Sequence, residues 1–86
     1  MKPEELQEQL MDLAERLGVK VSVEKIRSEI GLRHPGGYCK VKGEDRIILS
    51  KELSADEKVE VLTEALRRFD LGDIFVPPVI RELLNQ

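Results

Sequence analysis

Between Gly37 and Leu49 the side-chain character of this chain alternates with every residue, and from Ser54 to Phe69 apolar residues recur at every third or fourth position. A period of two buries one side of a strand, and a period of about 3.6 buries one stripe of a helix. A hairpin followed directly by an amphipathic helix has one economical solution, the helix laid across one face of the sheet. In the first strand, Tyr38 to Lys42, Cys39 and Val41 share a face that is expected to point inward. Tyr38, Lys40 and Lys42 share the outer one. Gly43-Glu44-Asp45 reads as the tight connection, and Arg46 to Ser50 as the return strand, with Ile47 and Leu49 together and Ile48 reversed.

The helix is well signalled at both ends. Ser54-Ala55-Asp56-Glu57 is a capping box, with a serine that accepts from the amide three residues on and a glutamate there that reaches back. Val59, Leu62, Leu66 and Phe69 form its buried stripe, widened by Ala55 and Ala65, and Leu71-Gly72 closes it. Arg67 and Arg68 fall where cations complement the helix dipole.

The flanks supply the rest. Leu6, Leu10, Leu13 and Leu17 make one stripe of an N-terminal helix from Pro3, stopped by Gly18. Val19, Val21 and Val23 alternate with Lys20, Ser22 and Glu24 as a strand that buries one face. Arg27 to Pro35 has no persistent period and runs into Gly36-Gly37, where a turn or a close approach of two backbones is expected. After Pro77-Pro78 a short last helix offers Val79, Ile80, Leu83 and Leu84. The expected fold is α+β: an N-terminal helix, a three-stranded mainly antiparallel sheet, and two C-terminal helices packed on one sheet face, in a single domain spanning 1–86.

Composition narrows the functional classes. With 86 residues and only Tyr38, Phe69 and Phe75 as aromatics, the core is aliphatic and too small to enclose a large cofactor. A net charge of −3 argues against general affinity for phosphate backbones. No apolar run is of signal-peptide type or reaches the roughly 20 residues of a membrane span. The single cysteine, Cys39, cannot form an internal disulfide, so a cytoplasmic setting is expected. Abundant Glu, Lys and Arg with one asparagine, Asn85, is a composition of thermophilic type.

Few residues carry chemistry. His34 and Cys39 are the chain's only histidine and cysteine, too few for a tetrahedral metal site without carboxylates. A Cys39 nucleophile with His34 as base is the sharper reading, and a buried small hydrophobe the plainer one. Gly36-Gly37 precedes a strand, unlike a phosphate-cradling loop, which opens a helix. Tyr38, Lys40 and Lys42 on an outer sheet face are the pattern of a single-strand nucleic-acid platform, yet one aromatic and the nearby Glu44 and Asp45 favour a solvated face. Glu60 and Glu64 share a helix face with Arg67 and Arg68, a spacing that supports helices. No catalytic set, metal site or cofactor follows from the residues.

The run from Gly36 to Leu83 resembles a family of small uncharacterised bacterial proteins. Their shared look is a Gly-Gly-apolar-Cys strand, a short hairpin, a helix, and a proline followed by apolar-Arg-acidic. Here those positions are Gly36, Gly37, Cys39, Pro78, Arg81 and Glu82. The resemblance implies no activity, but it draws attention to Arg81, placed to pair with a carboxylate of the hairpin or of the long helix. The layout is also similar to a minimal zincin, whose metal-binding helix carries HExxH. Here that helix reads Thr63-Glu64-Ala65-Leu66-Arg67, so the resemblance implies a scaffold that keeps Glu64 in the catalytic position and lacks both histidines.

The leading expectation is a non-catalytic module that binds another protein or itself as a homodimer, through Tyr38, Lys40, Lys42 and Ile48 on the outer sheet or through the last helix with Arg81 and Leu84. The alternative is a degenerate metallopeptidase relative or small ligand binder that uses Glu64, His34, Cys39 or Arg81. A cleft joining these four favours the alternative, and their scattering favours the module.

Overall fold

A computed structural model describes residues 1–26 and 36–86. Helix α1 spans Pro3–Arg16, with the proline in its first turn and Glu4 and Glu5 beside the positive end of the dipole. It buries Leu10, Leu13 and Ala14. Strand β1 follows at Lys20–Glu24, then β2 at Gly36–Val41 and β3 at Glu44–Ser50. Helix α2 covers Ala55–Leu66 and α3 Pro78–Leu84. The α2 capping box forms as the sequence dictates: the Glu57 amide donates to Ser54 Oγ at 3.2 Å, and the Ser54 amide donates to Glu57 Oε1 at 2.9 Å. The helix is one turn shorter than its stripe, because Arg67 is its C-cap and Phe69 lies beyond it, still packed partly on the core.

The sheet is ordered β1-β3-β2. The expected antiparallel hairpin is present between β2 and β3, but β1 runs parallel to β3, so the sheet is mixed rather than mainly antiparallel. The tight-turn argument holds only for the hairpin. Residues 25–35 separate β1 from β2, and a connection of that length imposes no direction.

Ile47 and Leu49 are fully buried and join Leu10, Leu13, Leu62, Leu66 and Ile80 in one aliphatic core. Helix α1 lies against β1, α2 lies against β2 and β3, and the two helices pack on each other over this face. Helix α3 packs on α1 and α2 instead of on the sheet, which corrects the expected pairing of the two C-terminal helices on the sheet. Its Ile80 and Leu84 are buried, whereas Val79 is 41% exposed. Leu84 is therefore core, not contact surface.

The hairpin register inverts the expected faces of β2. Tyr38 pairs with Ile47 and Gly36 with Leu49, so Tyr38 lies on the helix-covered face. Cys39 pairs with Arg46 and Val41 with Glu44, on the opposite face, where Val41 is 41% exposed. The connection is the two-residue turn Lys42-Gly43, with φ of +51° and +81°, in place of the three residues Gly43 to Asp45. Two consecutive positive φ values are the mark of the turn that matches strand twist. Lysine is poorly suited to that conformation, so Lys42→Asn should raise stability by about 0.5–1 kcal/mol. Chemical denaturation would show this as a higher midpoint at unchanged slope.

Candidate interaction groove

The inverted register brings Tyr38 to the centre of the best-defined polar cluster. Its ring meets Phe69 edge to face, with centroids 5.8 Å apart and planes at 73°. The Arg68 guanidinium stands 4.4 Å over the Tyr38 ring, a cation–π geometry. The phenol donates a hydrogen bond to Asp45 Oδ1, two positions from Ile47 along the same face of β3. Phe69 and Arg68 reach the ring because the chain turns just after α2 ends.

The bond to the Asp45 carboxylate holds the Tyr38 hydroxyl above its usual pKa of 10.0, and partial desolvation and the carboxylate charge add to this against the opposing Arg68. A folded-state pKa raised in this way stabilises the fold at all pH values below the unfolded value near 10. That contribution is lost as pH rises through the folded value. Tyr38 is the only tyrosine and there is no tryptophan, so the ultraviolet absorbance of the phenolate reports it alone. The titration midpoint should lie above 10 and fall toward it in Asp45→Ala; equal midpoints in both proteins would remove the bond.

Beside this cluster a groove of about 500 Å³ opens between β2 and α2. Gly36, Gly37 and Tyr38 form one wall. Val61 and Ala65 form an apolar floor, and Glu60 and Glu64 the acidic rim, with Arg68 at the end. Among the described residues, the lining comes from β2, from α2 and from Arg68, two residues past its end, and none of it from β3, so the groove follows the β2 side of the sheet. Glu64 pairs with Arg67 at 3.6 Å, with its own side chain 79% exposed.

The other sequence candidates lie elsewhere. Cys39 is a free, half-buried thiol on the opposite sheet face, flanked by Arg46 and not buried in the core as expected. Half-buried Ile48 shares that face, where Lys20 and Arg46 are drawn to Glu44 at 3.4 and 3.1 Å. The Arg46 hydrogen bond and the Lys20 charge hold the Glu44 carboxyl below its usual range. Lys40 is exposed opposite Asp45, and Lys42 occupies the turn. The supposed basic aromatic face is thus dismantled, since its aromatic belongs to the covered side. Arg81 is exposed on α3 and forms no ion pair among the described residues. His34 lies outside the described residues.

Glu64, Cys39 and Arg81 consequently occupy three separate surfaces: the α2 groove, the open sheet face and the last helix. The zincin positions also have other duties. The Thr63 hydroxyl is buried and donates to the Val59 carbonyl at 2.7 Å, and Arg67 donates to the Leu83 carbonyl at 3.2 Å. Neither residue fits zinc: a committed hydroxyl and a cation stand where neutral imidazoles would be required. Among the described residues no three His, Cys, Asp or Glu side chains converge on a metal-sized space.

The sequence did not reveal Asp45, Arg68, Glu60 or Val61 as neighbours of Tyr38. The one available signal was the spacing of Glu60, Glu64 and Arg68 along one helical line, which an exposed, self-paired helix face shows equally well. No protein-family model, no curated protein and no solved structure matches the chain.

Proposed function

We propose that this chain is a non-catalytic protein-interaction module whose contact surface is the groove between β2 and α2. The supporting observation is the composition of that groove: an edge strand with two glycines on one side, an apolar floor, and a charged rim. Edge strands beside a helix are a recurring place for one protein to receive another. The separation of Glu64, Cys39 and Arg81 argues in the same direction, because acid–base or nucleophilic chemistry needs its groups within hydrogen-bond reach. Helix α1, the longest described, has 14 residues, and no described helix is long and apolar enough to cross a membrane. A cytoplasmic setting is part of the proposal, on the strength of the unpaired Cys39.

The test places a photoreactive residue at position 60 on the groove rim, and separately at position 39 on the open sheet face. Expected is a discrete protein adduct from position 60 that excess unmodified chain competes away. Adducts from position 39 alone would move the contact surface to the other side of the sheet, and adducts from neither position would end the reading.

A further inference from the structure

We propose that two copies of this chain associate through β1, paired antiparallel about Ser22, so that their two three-stranded sheets become one. The contact lies at the opposite end of the sheet from the β2 groove and does not depend on it.

The backbone comes first. Strand β1 is bonded on one side to β3 and ends the sheet. The Lys51 amide donates to the Glu24 carbonyl at 2.8 Å, which turns the backbone of Glu24 toward β3. Backbone groups of successive strand residues point to alternate sides, so those of Val21 and Val23 point away from β3. Among the described residues these outer groups take no hydrogen-bond partner. An antiparallel copy can bond only where outward residues meet. Val21 then faces Val21, Val23 faces Val23, or Val21 faces Val23.

The side chains choose among these three registers. With Val21 opposite Val23, Ser22 lies on the two-fold axis and Lys20 stands opposite Glu24 of the other copy, on both sides of the axis. The other two registers set Lys20 or Glu24 against serine and pair no opposite charges within the strand. Lysine on an edge strand ordinarily discourages a second strand, but a glutamate directly across turns that guard into an attraction. Val21 and Val23 stand beside Ile47 and Leu49 on the helix-covered face, where the chosen register makes two valine pairs. Val23, 41% exposed in the single chain, is covered by this contact. The present contacts of the two charges yield readily: Lys20 reaches Glu44 at 3.4 Å with its side chain 66% exposed, and exposed Glu24 accepts from Ser22.

A strand of 5 residues is a small contact beside the roughly 20–30 residues a side of a standard interface, so the dimer is a transient one. Each copy carries a net charge of −3, and Glu4, Glu8, Asp12 and Glu15 of α1 border the same edge. Like charge opposes the approach, and salt at roughly 0.15 M, which screens beyond about 8 Å, eases it.

The cross-linking test uses the full chain carrying Cys39→Ala, which leaves no native thiol. Directly opposed residues of a non-hydrogen-bonded antiparallel pair have α-carbons about 4.5 Å apart, within disulfide reach. S22C should therefore link two copies under mild oxidation. K20C and E24C should each fail alone, because like positions stand about 13 Å apart, and should link when the two proteins are mixed. Sedimentation equilibrium at roughly 0.15 M salt should show a monomer–dimer equilibrium for the unmodified chain. E24K sets lysine against lysine twice and should weaken it about tenfold; K20E with E24K restores opposite charges and should recover most of the loss. Both positions are exposed, and an unchanged circular dichroism spectrum verifies the fold of each variant.

A monomer at every concentration up to the millimolar range overturns the dimer. A dimer in which S22C does not link, or in which K20C links alone as readily as S22C, overturns the pairing about Ser22. A dimer that E24K leaves unchanged, or that K20E with E24K fails to recover, overturns the charge pairing that selects the register.

Discussion

Leu62→Ala is expected to lower the unfolding free energy by about 2–5 kcal/mol. Leu62 is fully buried, on the stripe of α2 that faces the sheet, in the same cluster as Leu10, Ile47 and Leu49. Removing its branched end takes away transfer free energy and leaves a hole that helices pinned by a capping box and a hairpin fill only in part. A domain of this size has roughly 5–15 kcal/mol in total at best, so the variant should be partly unfolded under mild denaturant. Leu62→Met keeps the volume and should cost less than about 1.5 kcal/mol. Urea titrations of the three proteins measure both values; equal midpoints for the alanine variant and the parent would contradict the packing of α2 on the sheet.

Gly36→Ala should be comparably damaging for a different reason. A β-carbon at Gly36 would stand 1.9 Å from the backbone oxygen of Ile48, and the residue has φ of +98°. The neighbouring atom is backbone, so no rotamer change relieves the clash, and β2 must move away from β3. Lost ladder hydrogen bonds and the unfavourable backbone angle together amount to about 3 kcal/mol or more. Gly37→Ala provides the contrast. Nothing lies within 4 Å of its would-be β-carbon, so only the backbone cost of about 1 kcal/mol applies at its φ of +146°. Native-state hydrogen exchange should show β2 amides deprotected in Gly36→Ala and largely preserved in Gly37→Ala. Similar protection in both variants would mean that the close approach of the two strands does not matter.

Why part of this architecture was legible in the sequence and part was not comes down to the range of the interactions. The N-cap of α2, the leucine stripe of α1 and the strand positions are set by neighbours three or four residues away, and they stand where the pattern puts them. Gly36 also meets the expectation of a close backbone approach. The faces of β2 depend instead on the parity of one loop. With three residues in the turn, Val41 would pair with Ile47; with the two residues Lys42 and Gly43, Tyr38 does. A shift of odd size sends every side chain of a strand to the other face. The sequence cue for the true turn was half missing, since its first residue is lysine, not asparagine or aspartate.

That single inversion carried the site with it. With Tyr38 turned toward α2, Asp45, Arg68 and Phe69 became its neighbours, and Glu64 came to share a groove with it. Cys39 moved in the opposite sense, out of the core and onto the open face. Leu84 illustrates a separate limit. A terminal helix of 7 residues has too little length to show which stripe is buried, and both Val79 and Leu84 were equally eligible. Only packing against α1 and α2 decides that Leu84 is covered and Val79 is not.

The mixed pairing of the sheet also sets an order of assembly. The hairpin joins Val41 to Glu44, neighbours along the chain, whereas β1 must bring Lys20 to Arg46 across a far longer span of polypeptide. The difference in closure entropy is roughly 2 kcal/mol, so the hairpin forms early and the first strand docks late. The same difference operates in reverse. On that ground β1 is expected to open before the hairpin does, with one flank of β3 exposed while the hairpin and α2 stay closed, which native-state hydrogen exchange would show as earlier exchange of β1 amides than of β2 amides.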